Sequence, residues 1–214
     1  MEVRWHGHAA FEIETLGKRI FLDPYELPLD FKTADIILVT HEHYDHCDNE
    51  AIKKIKTKET VIIANEITSK KLSGNLKSIK EGETLSLGDI KISAVPAYNM
   101  RKPFHKKNFG VGFIVEAENK KVYHAGDTDL IPEMNELAEK KINLALLPIG
   151  GTYTMNFSEA AEAVKIIKPE IVVPMHYAKI VGSLEDAENF KKKVEMLNLE
   201  TKVKIMNVSE TIKI

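Results

Sequence analysis

A single cysteine, Cys47, leaves no intramolecular disulfide and no metal site built from thiolates alone. No stretch approaches the ~18 consecutive apolar residues of a membrane-spanning helix, so none is expected. The opening MEVRWHGHAAFEI carries charge early and has no long apolar run, unlike a secretory leader. Both absences point to a cytoplasmic protein. Arginine is scarce: only Arg4, Arg19 and Arg101 stand among 30 basic residues, against 32 acidic ones. The net charge of −2 supplies no uniform field to gather nucleic acid or an anionic membrane. A small-molecule substrate is therefore the expected partner, nucleic acid is not, and a homo-oligomer is left open. Gly/Ser-rich or Pro-rich linkers and low-complexity tracts, which mark domain boundaries, are missing too.

What remains is ordinary globular composition, 43% hydrophobic and 29% charged over 214 residues. A chain of that length buries roughly 70% of its unfolded surface. One domain over residues 1–214, built from two β–α halves, is the expected organisation. Val3 to Trp5, Ala10 to Glu14 and Arg19 to Leu22 read as short strands, and Asp35 to Thr40 as a strand buried on both faces. Asp48 caps a helix carrying Ala51, Ile52 and Ile55, Thr60 to Ala64 is a strand, and Asn65 caps a short helix. Two hairpins come next, around Gly88-Asp89 and around Ala117 to Lys120. Then come a helix over Ile131 to Lys140, a strand over Leu144 to Pro148 and a helix from Asn156 to Lys168 with capping-box spacing. Ile171 to Pro174 is a strand and Ser183 starts the last helix. Val203 to Met206 and Thr211 to Ile214 read as closing strands. The polar stretch Ala97 to Asn108 is a long irregular loop of the kind that usually serves function.

The densest chemistry is His41-Glu42-His43-Tyr44-Asp45-His46, directly after the buried run. In an extended or turning segment His41 and His43 share a side, and Asp45 and His46 lie one turn on. Three imidazoles and a carboxylate so close together suit zinc or a similar first-row ion. A solvated polar loop is the plain alternative. Asp127, in His124-Ala125-Gly126-Asp127, and His176, in Met175-His176-Tyr177, also follow apolar strands. Taken singly they read as a turn residue and a satisfied buried histidine. Together with the first cluster they suggest three strand ends converging on one metal centre.

With these motifs the sequence resembles the metallo-β-lactamase superfamily. HEHYDH matches its HxHxDH signature, and HAGDTD and PMHY look like its later aspartate and histidine motifs. WHGHAAFEI, Leu22-Asp23-Pro24 and LLPIGGTYTMN resemble the branch of small UlaG-like, ascorbate-6-phosphate-lactonase-like hydrolases. The resemblance implies an α/β fold, a four-layer αββα sandwich with a dinuclear site at one edge of its two sheets. It implies that His41 and His43 bind a first metal, that Asp45, His46 and His176 bind a second, and that Asp127 bridges. The family's further histidine for the first metal is missing from its usual place, which here carries Asn99. His105, in the irregular loop, is the expected substitute, with Asn99 or an open position as alternatives.

The cofactor expected is one or two divalent ions, zinc first, with manganese, iron or nickel also compatible with such ligands. The activity implied is hydrolysis by metal-activated water of an ester or lactone, phosphorylated or not. A phosphodiesterase or nuclease acting on a nucleotide, RNA or phospholipid, and a non-catalytic metal sensor, are the alternatives. Asp45 and Asp127 are the expected catalytic carboxylates, with Tyr177 as a donor to the developing oxyanion. His8, Asp23 and His124 are candidates to orient the ligands, His8 also to reach the metal edge. Arg101, Lys102, Thr152 and Tyr153 are candidate substrate contacts, although a solvated basic face explains the first two equally well. Cys47 reads as a small buried hydrophobe.

Overall fold

The computed structural model describes residues 1–27 and 32–214. β1 (Glu2–Gly7), β2 (Ala10–Thr15) and β3 (Lys18–Leu22) form an antiparallel meander. Their alternation sends Val3, Trp5, Phe11, Ile13, Ile20 and Leu22 into the core. β4 (Ile36–Val39), β5 (Val61–Ala64) and β6 (Asn75–Ser78) then add in parallel. Parallel strands need crossovers, supplied here by α1 (Asn49–Ile55) and α2 (Glu66–Ser69). The Asp48 side chain accepts from the backbone of Glu50 and Ala51 and so starts α1, whose Ala51, Ile52 and Ile55 pack against the outer face of this sheet.

The second sheet repeats the plan. β7 (Thr84–Leu87), β8 (Ile90–Ala97), β9 (Gly110–Ala117) and β10 (Lys120–His124) are antiparallel. β11 (Leu144–Pro148), β12 (Ile171–Met175) and β13 (Lys202–Val203) add in parallel. α3 (Phe157–Ile167) and α4 (Leu184–Glu195) flank it, both opened by capping boxes. β14 (Thr211–Lys213) returns to pair with β1, giving orders β14-β1-β2-β3-β4-β5-β6 and β13-β12-β11-β10-β9-β8-β7. One hydrophobic cluster runs from Phe11 and Leu22 in the first sheet through Phe113 and Leu146 in the second to Val164 of α3. The result is an α/β sandwich of two mixed sheets with flanking helices.

Four elements differ from the sequence reading. Residues Pro132–Lys140 form a 3₁₀ helix, because the buried residues Met134 and Leu137 recur every third position and Ile131 offers no capping side chain. β6, read from Asn-Leu-Lys-Ser, carries no apolar pattern to detect. It is an edge strand with polar residues facing outward, as edges require. The two closing strands are shorter than expected and end in different sheets. No helix among the described residues is long and apolar enough to cross a membrane.

Candidate metal centre

Every candidate ligand leaves the end of a strand or an ordered loop beside one. β4 ends at Val39, and Thr40 and His41 come directly after it. The chain then folds into a tight turn, with the His46 and Cys47 amides donating to His43 O at 3.0 and 2.8 Å. That turn puts Asp45 and His46 beyond His41 and His43. Asp127 follows β10 and His176 follows β12. The two sheets meet here: the Val111 amide of β9 donates to Thr40 O at 3.0 Å. A Cβ on Gly110 would stand 2.9 Å from His41 Cβ, so only glycine lets β9 approach this closely.

Three sets of side chains converge. His41, His43 and His105 have ligand atoms within 4.8 Å of one another, as do His41, His46 and Asp127, and His8, Asp45, His46 and His176. His43 Nδ1 lies 3.1 Å from both His41 Nε2 and His105 Nε2. Asp127 stands between the sets, with Oδ1 3.2 Å from His46 Nε2 and Oδ2 3.2 Å from His176 Nε2 and 3.3 Å from His105 Nε2. Asp45 Oδ2 is 3.6 and 3.7 Å from His46 and His176 Nε2. Atoms that share one ion through bonds of about 2.1 Å stand at such spacings.

The second nitrogen of three of these imidazoles, His41, His46 and His105, is fixed from behind. His46 Nδ1 donates to Asp23 Oδ2 at 2.7 Å, and Asp23 also accepts from the Thr40 amide at 2.7 Å and the Thr40 hydroxyl at 2.6 Å. With its own proton spent on Asp23, Thr40 Oγ1 accepts from His41 Nδ1 at 3.0 Å. Asn99 does the same for His105. Its Oδ1 accepts from the His105 amide at 2.9 Å and from Nδ1 at 3.1 Å, while Nδ2 donates to Tyr153 O and Asp129 Oδ1. Asn99 thus stands behind His105 and does not join the converging atoms. The loop folds inward as His105 ligation requires, tied by the Asn99 amide donating to His105 O at 2.7 Å. With Nδ1 protonated, Nε2 of His41 and His105 presents a lone pair to the centre, and Nε2 of His46 would do so once a cation displaces its proton.

His8 Nε2 sits 2.9 Å from Asp45 Oδ2, a hydrogen-bond distance shorter than the spacings among the ligand atoms. Its φ of +50°, and that of +57° at His176, keep both backbones sharply turned, and the His176 amide donates to His8 O at 3.1 Å. His124 faces elsewhere: Nε2 donates to Ala9 O at 2.8 Å and Nδ1 accepts from the Gly126 amide, so it braces two site loops.

Burial pushes His8 and His105 down to about 4 and His41 well below its ordinary value, so these rings are neutral. Burial also opposes charge on His46, but Asp127 and Asp23 outweigh it and raise His46 well above 6.5. Asp127, despite its burial, is held well below the usual carboxylate range by His176 and His46. Asp45, also opposed by burial, is held at about 2 by the His8 hydrogen bond and His46.

The remaining candidates fall apart from this group. The Tyr177 ring stacks on Trp5 at 5.7 Å and the charge its hydroxyl feels is Glu188 of α4, which with burial raises it to about 12. Lys102 Nζ is spent on Asp129 Oδ1 at 2.6 Å and on Thr154 O. Arg101 is exposed, Thr152 is exposed in the bend after Gly150, and the half-buried Tyr153 meets Phe104 edge-on at 4.7 Å. Burial pushes the Cys47 thiol up to about 11, which leaves it inert. Sequence reasoning missed Asp129, which gathers Asn99, the Met100 amide and Lys102, and Gly150, where a Cβ would lie 2.5 Å from His176 O. The repeated aspartate in Asp127-Thr128-Asp129 was the available signal for the first.

Comparison with known proteins gives a consistent picture. Residues 2–176 match the family described as beta-lactamase superfamily domain. The chain is 35% identical to a UPF0173 metal-dependent hydrolase of Methanopyrus kandleri, over 99% of each chain. It is 40% identical to another from Pyrococcus abyssi, over 91% of this chain and 92% of that one. Among solved structures, Igni18, a metallo hydrolase from Ignicoccus hospitalis, superposes with a TM-score of 0.82 at 30% identity, covering 99% of this chain and 97% of that one.

Proposed function

The chain belongs to the metallo-β-lactamase superfamily, among its UPF0173 metal-dependent hydrolases, and from that premise we propose that it hydrolyses a carboxylic ester or lactone at a two-cation centre. His41, His43 and His105 would hold one ion, Asp45, His46 and His176 the other, and Asp127 both. The observation that carries this is a set of buried atoms without hydrogen-bond partners. His46 Nε2, His176 Nε2 and Asp127 Oδ1 face one another in the interior with nothing to satisfy them. Buried polar atoms are paired in almost all proteins, so such a group fits a cation that completes it. Nitrogen and carboxylate donors suit zinc, manganese, iron or nickel.

When bound, the ions supply an activated water and polarise the acyl oxygen. The chain's own residues set the rest. Asp127 lies against both ligand sets and would balance the charge held there. Asp45, ionised throughout the neutral range and tethered by His8, accepts a hydrogen bond from the attacking water and keeps it aimed. Asp23, Thr40 and Asn99 hold the imidazoles of His46, His41 and His105 in the tautomer that can ligate. Tyr177, whose ring stacks on Trp5, is given no role in this proposal. The preference for esters and lactones rests on the likeness of WHGHAAFEI and LLPIGGTYTMN to the ascorbate-6-phosphate-lactonase-like branch. The test is hydrolysis of ester, lactone and phosphodiester panels by protein reconstituted with each metal. Turnover of esters or lactones is expected. Metal-replete protein that cleaves only phosphodiesters, or nothing, overturns the reading.

A further inference from the structure

We propose that the substrate carries an aromatic or similarly flat apolar group, framed by rings on both sides of the metal centre. This rests on the ester or lactone reading and names the part of the substrate that does not react. Tyr44 lies between His43 and Asp45 in sequence, yet its side chain is 66% exposed. A large ring in that position contributes nothing to the core. It meets Tyr25 edge-on at 6.0 Å, and Tyr25 meets His8 edge-on at 5.9 Å. On the other side Phe109 lies 5.0 Å from His43 and 6.0 Å from His105. Phe104, next to His105 and 40% exposed, meets Tyr153 edge-on at 4.7 Å. Met100, on the same loop, is 53% exposed. Open apolar surface therefore gathers on the two segments that carry the first metal's ligands. Edge-on ring pairs leave faces free for a third ring, whose quadrupole favours such contacts.

The charges nearby argue the same way. Lys71 pairs with Glu42 at 3.1 Å, Lys102 with Asp129 at 2.6 Å, Lys107 with Glu133 at 2.8 Å and Lys179 with Glu26 at 2.5 Å. Four of the ammonium groups on and around the ligand-bearing segments are thus answered by the protein's own carboxylates. A phosphorylated substrate would have to compete for them. Arg101 and Lys106 are exposed on the loop surface, and among the described residues no buried lysine or arginine stands beside the centre to grip a phosphate. An ester with an aryl or arylalkyl acyl group fits this rim better than a sugar phosphate lactone.

The experiment compares kcat/KM for phenylacetyl and acetyl esters of one alcohol, and for a sugar phosphate lactone, with metal-reconstituted protein. The phenylacetyl ester should be preferred by about tenfold or more. Tyr44→Ala and Phe104→Ala should each reduce that preference by about three- to tenfold, mainly through KM, with metal content unchanged. A second measurement does not depend on turnover: NMR titration of the metal-loaded protein with phenylacetate, acetate and inorganic phosphate. Phenylacetate should bind most tightly, and Tyr44→Ala should weaken it selectively. Equal or better use of the phosphorylated lactone, or tighter binding of phosphate than of phenylacetate, overturns the inference. Absence of all ester and lactone turnover sinks the hydrolytic reading instead, and selective phenylacetate binding would then still support the ring frame.

Discussion

Replacing Asp23 with asparagine keeps the side chain's shape and removes one charge from behind the metal centre. Asp23 is fully buried at φ +44° and accepts three hydrogen bonds, from the Thr40 amide, the Thr40 hydroxyl and His46 Nδ1. An asparagine side chain supplies one acceptor oxygen and one donor nitrogen. If the oxygen keeps the Thr40 amide, the new NH₂ faces His46 Nδ1. The imidazole then accepts there and carries its proton on Nε2, the atom 3.2 Å from Asp127 Oδ1. A protonated Nε2 cannot ligate, so the ion shared by Asp45, His46 and His176 is lost first. If the amide flips, the Thr40 N–H faces a donor and the strand end carrying His41 is disturbed. Groups that orient metal ligands are worth about 10–100-fold in affinity, or roughly 1.4–2.8 kcal/mol. A buried hydrogen bond to a charged group contributes about 1.5–3 kcal/mol, so folding stability should fall by a similar amount. Chelator-competition titration with metal counting reads the first effect, and urea unfolding of the metal-free protein the second. We expect one ion to weaken by about 10–100-fold while the His41, His43 and His105 set changes less, because its link to Asp23 runs through the Thr40 hydroxyl, which can turn. Two ions bound by Asp23→Asn at unchanged affinity would refute the tautomer argument.

Asp127→Asn should release one ion and abolish hydrolysis with the fold retained, since the bridging charge offsets the repulsion of two cations; elemental analysis and circular dichroism check this. His105→Ala should empty the first site selectively, and Asn99→Ala should weaken it by about tenfold through the lost Nδ1 contact; a titration in which Asn99→Ala is the more damaging would reverse their roles. Gly150→Ala places a Cβ 2.5 Å from His176 O and from Val181 Cγ2, so backbone must move. A loss of about 1–3 kcal/mol in thermal unfolding, with weakened metal at the His176 side, is the expected result. The metal-free protein should lose stability as pH falls from about 6.5 towards 4. His8 and His105, held near 4 when folded, bind protons first in the unfolded chain, and His41, His43 and His124, also lowered by burial, act in the same direction. His46, raised when folded, opposes them, contributing stability below 6.5 that is lost as pH rises through its folded value. Urea midpoints that increase as pH is lowered from 6.5 to 5 would contradict the five-to-one balance.

Much of the centre is legible because local patterns carry it. The buried run before His41 predicts a strand end, and a turn after it separates His41 and His43 from Asp45 and His46. Asp127 and His176 are recognisable for the same reason, each following an apolar strand. The loop histidine is harder. Residues 97–108 have no periodicity, and only the hydrogen bonds between Asn99 and His105 show how the segment folds inward. Tyr177 is hard to place from sequence, because adjacency to His176 does not fix what its ring meets, and the ring stacks on Trp5.

The amino-acid sequence by itself determined the strands, the capped helices and the ligand types, because hydrophobic period, capping residues and metal donors are properties of short segments. The tertiary structure alone decided which atoms meet. Asp23 reaches His46 across 23 positions, His8 reaches Asp45 across 37, and His105 reaches His43 across 62. Those contacts depend on the order of strands in two sheets and on close backbone approach at Gly110 and Gly150. Neither leaves a trace in local pattern, because packing acts between segments whose separation along the chain carries no energy of its own.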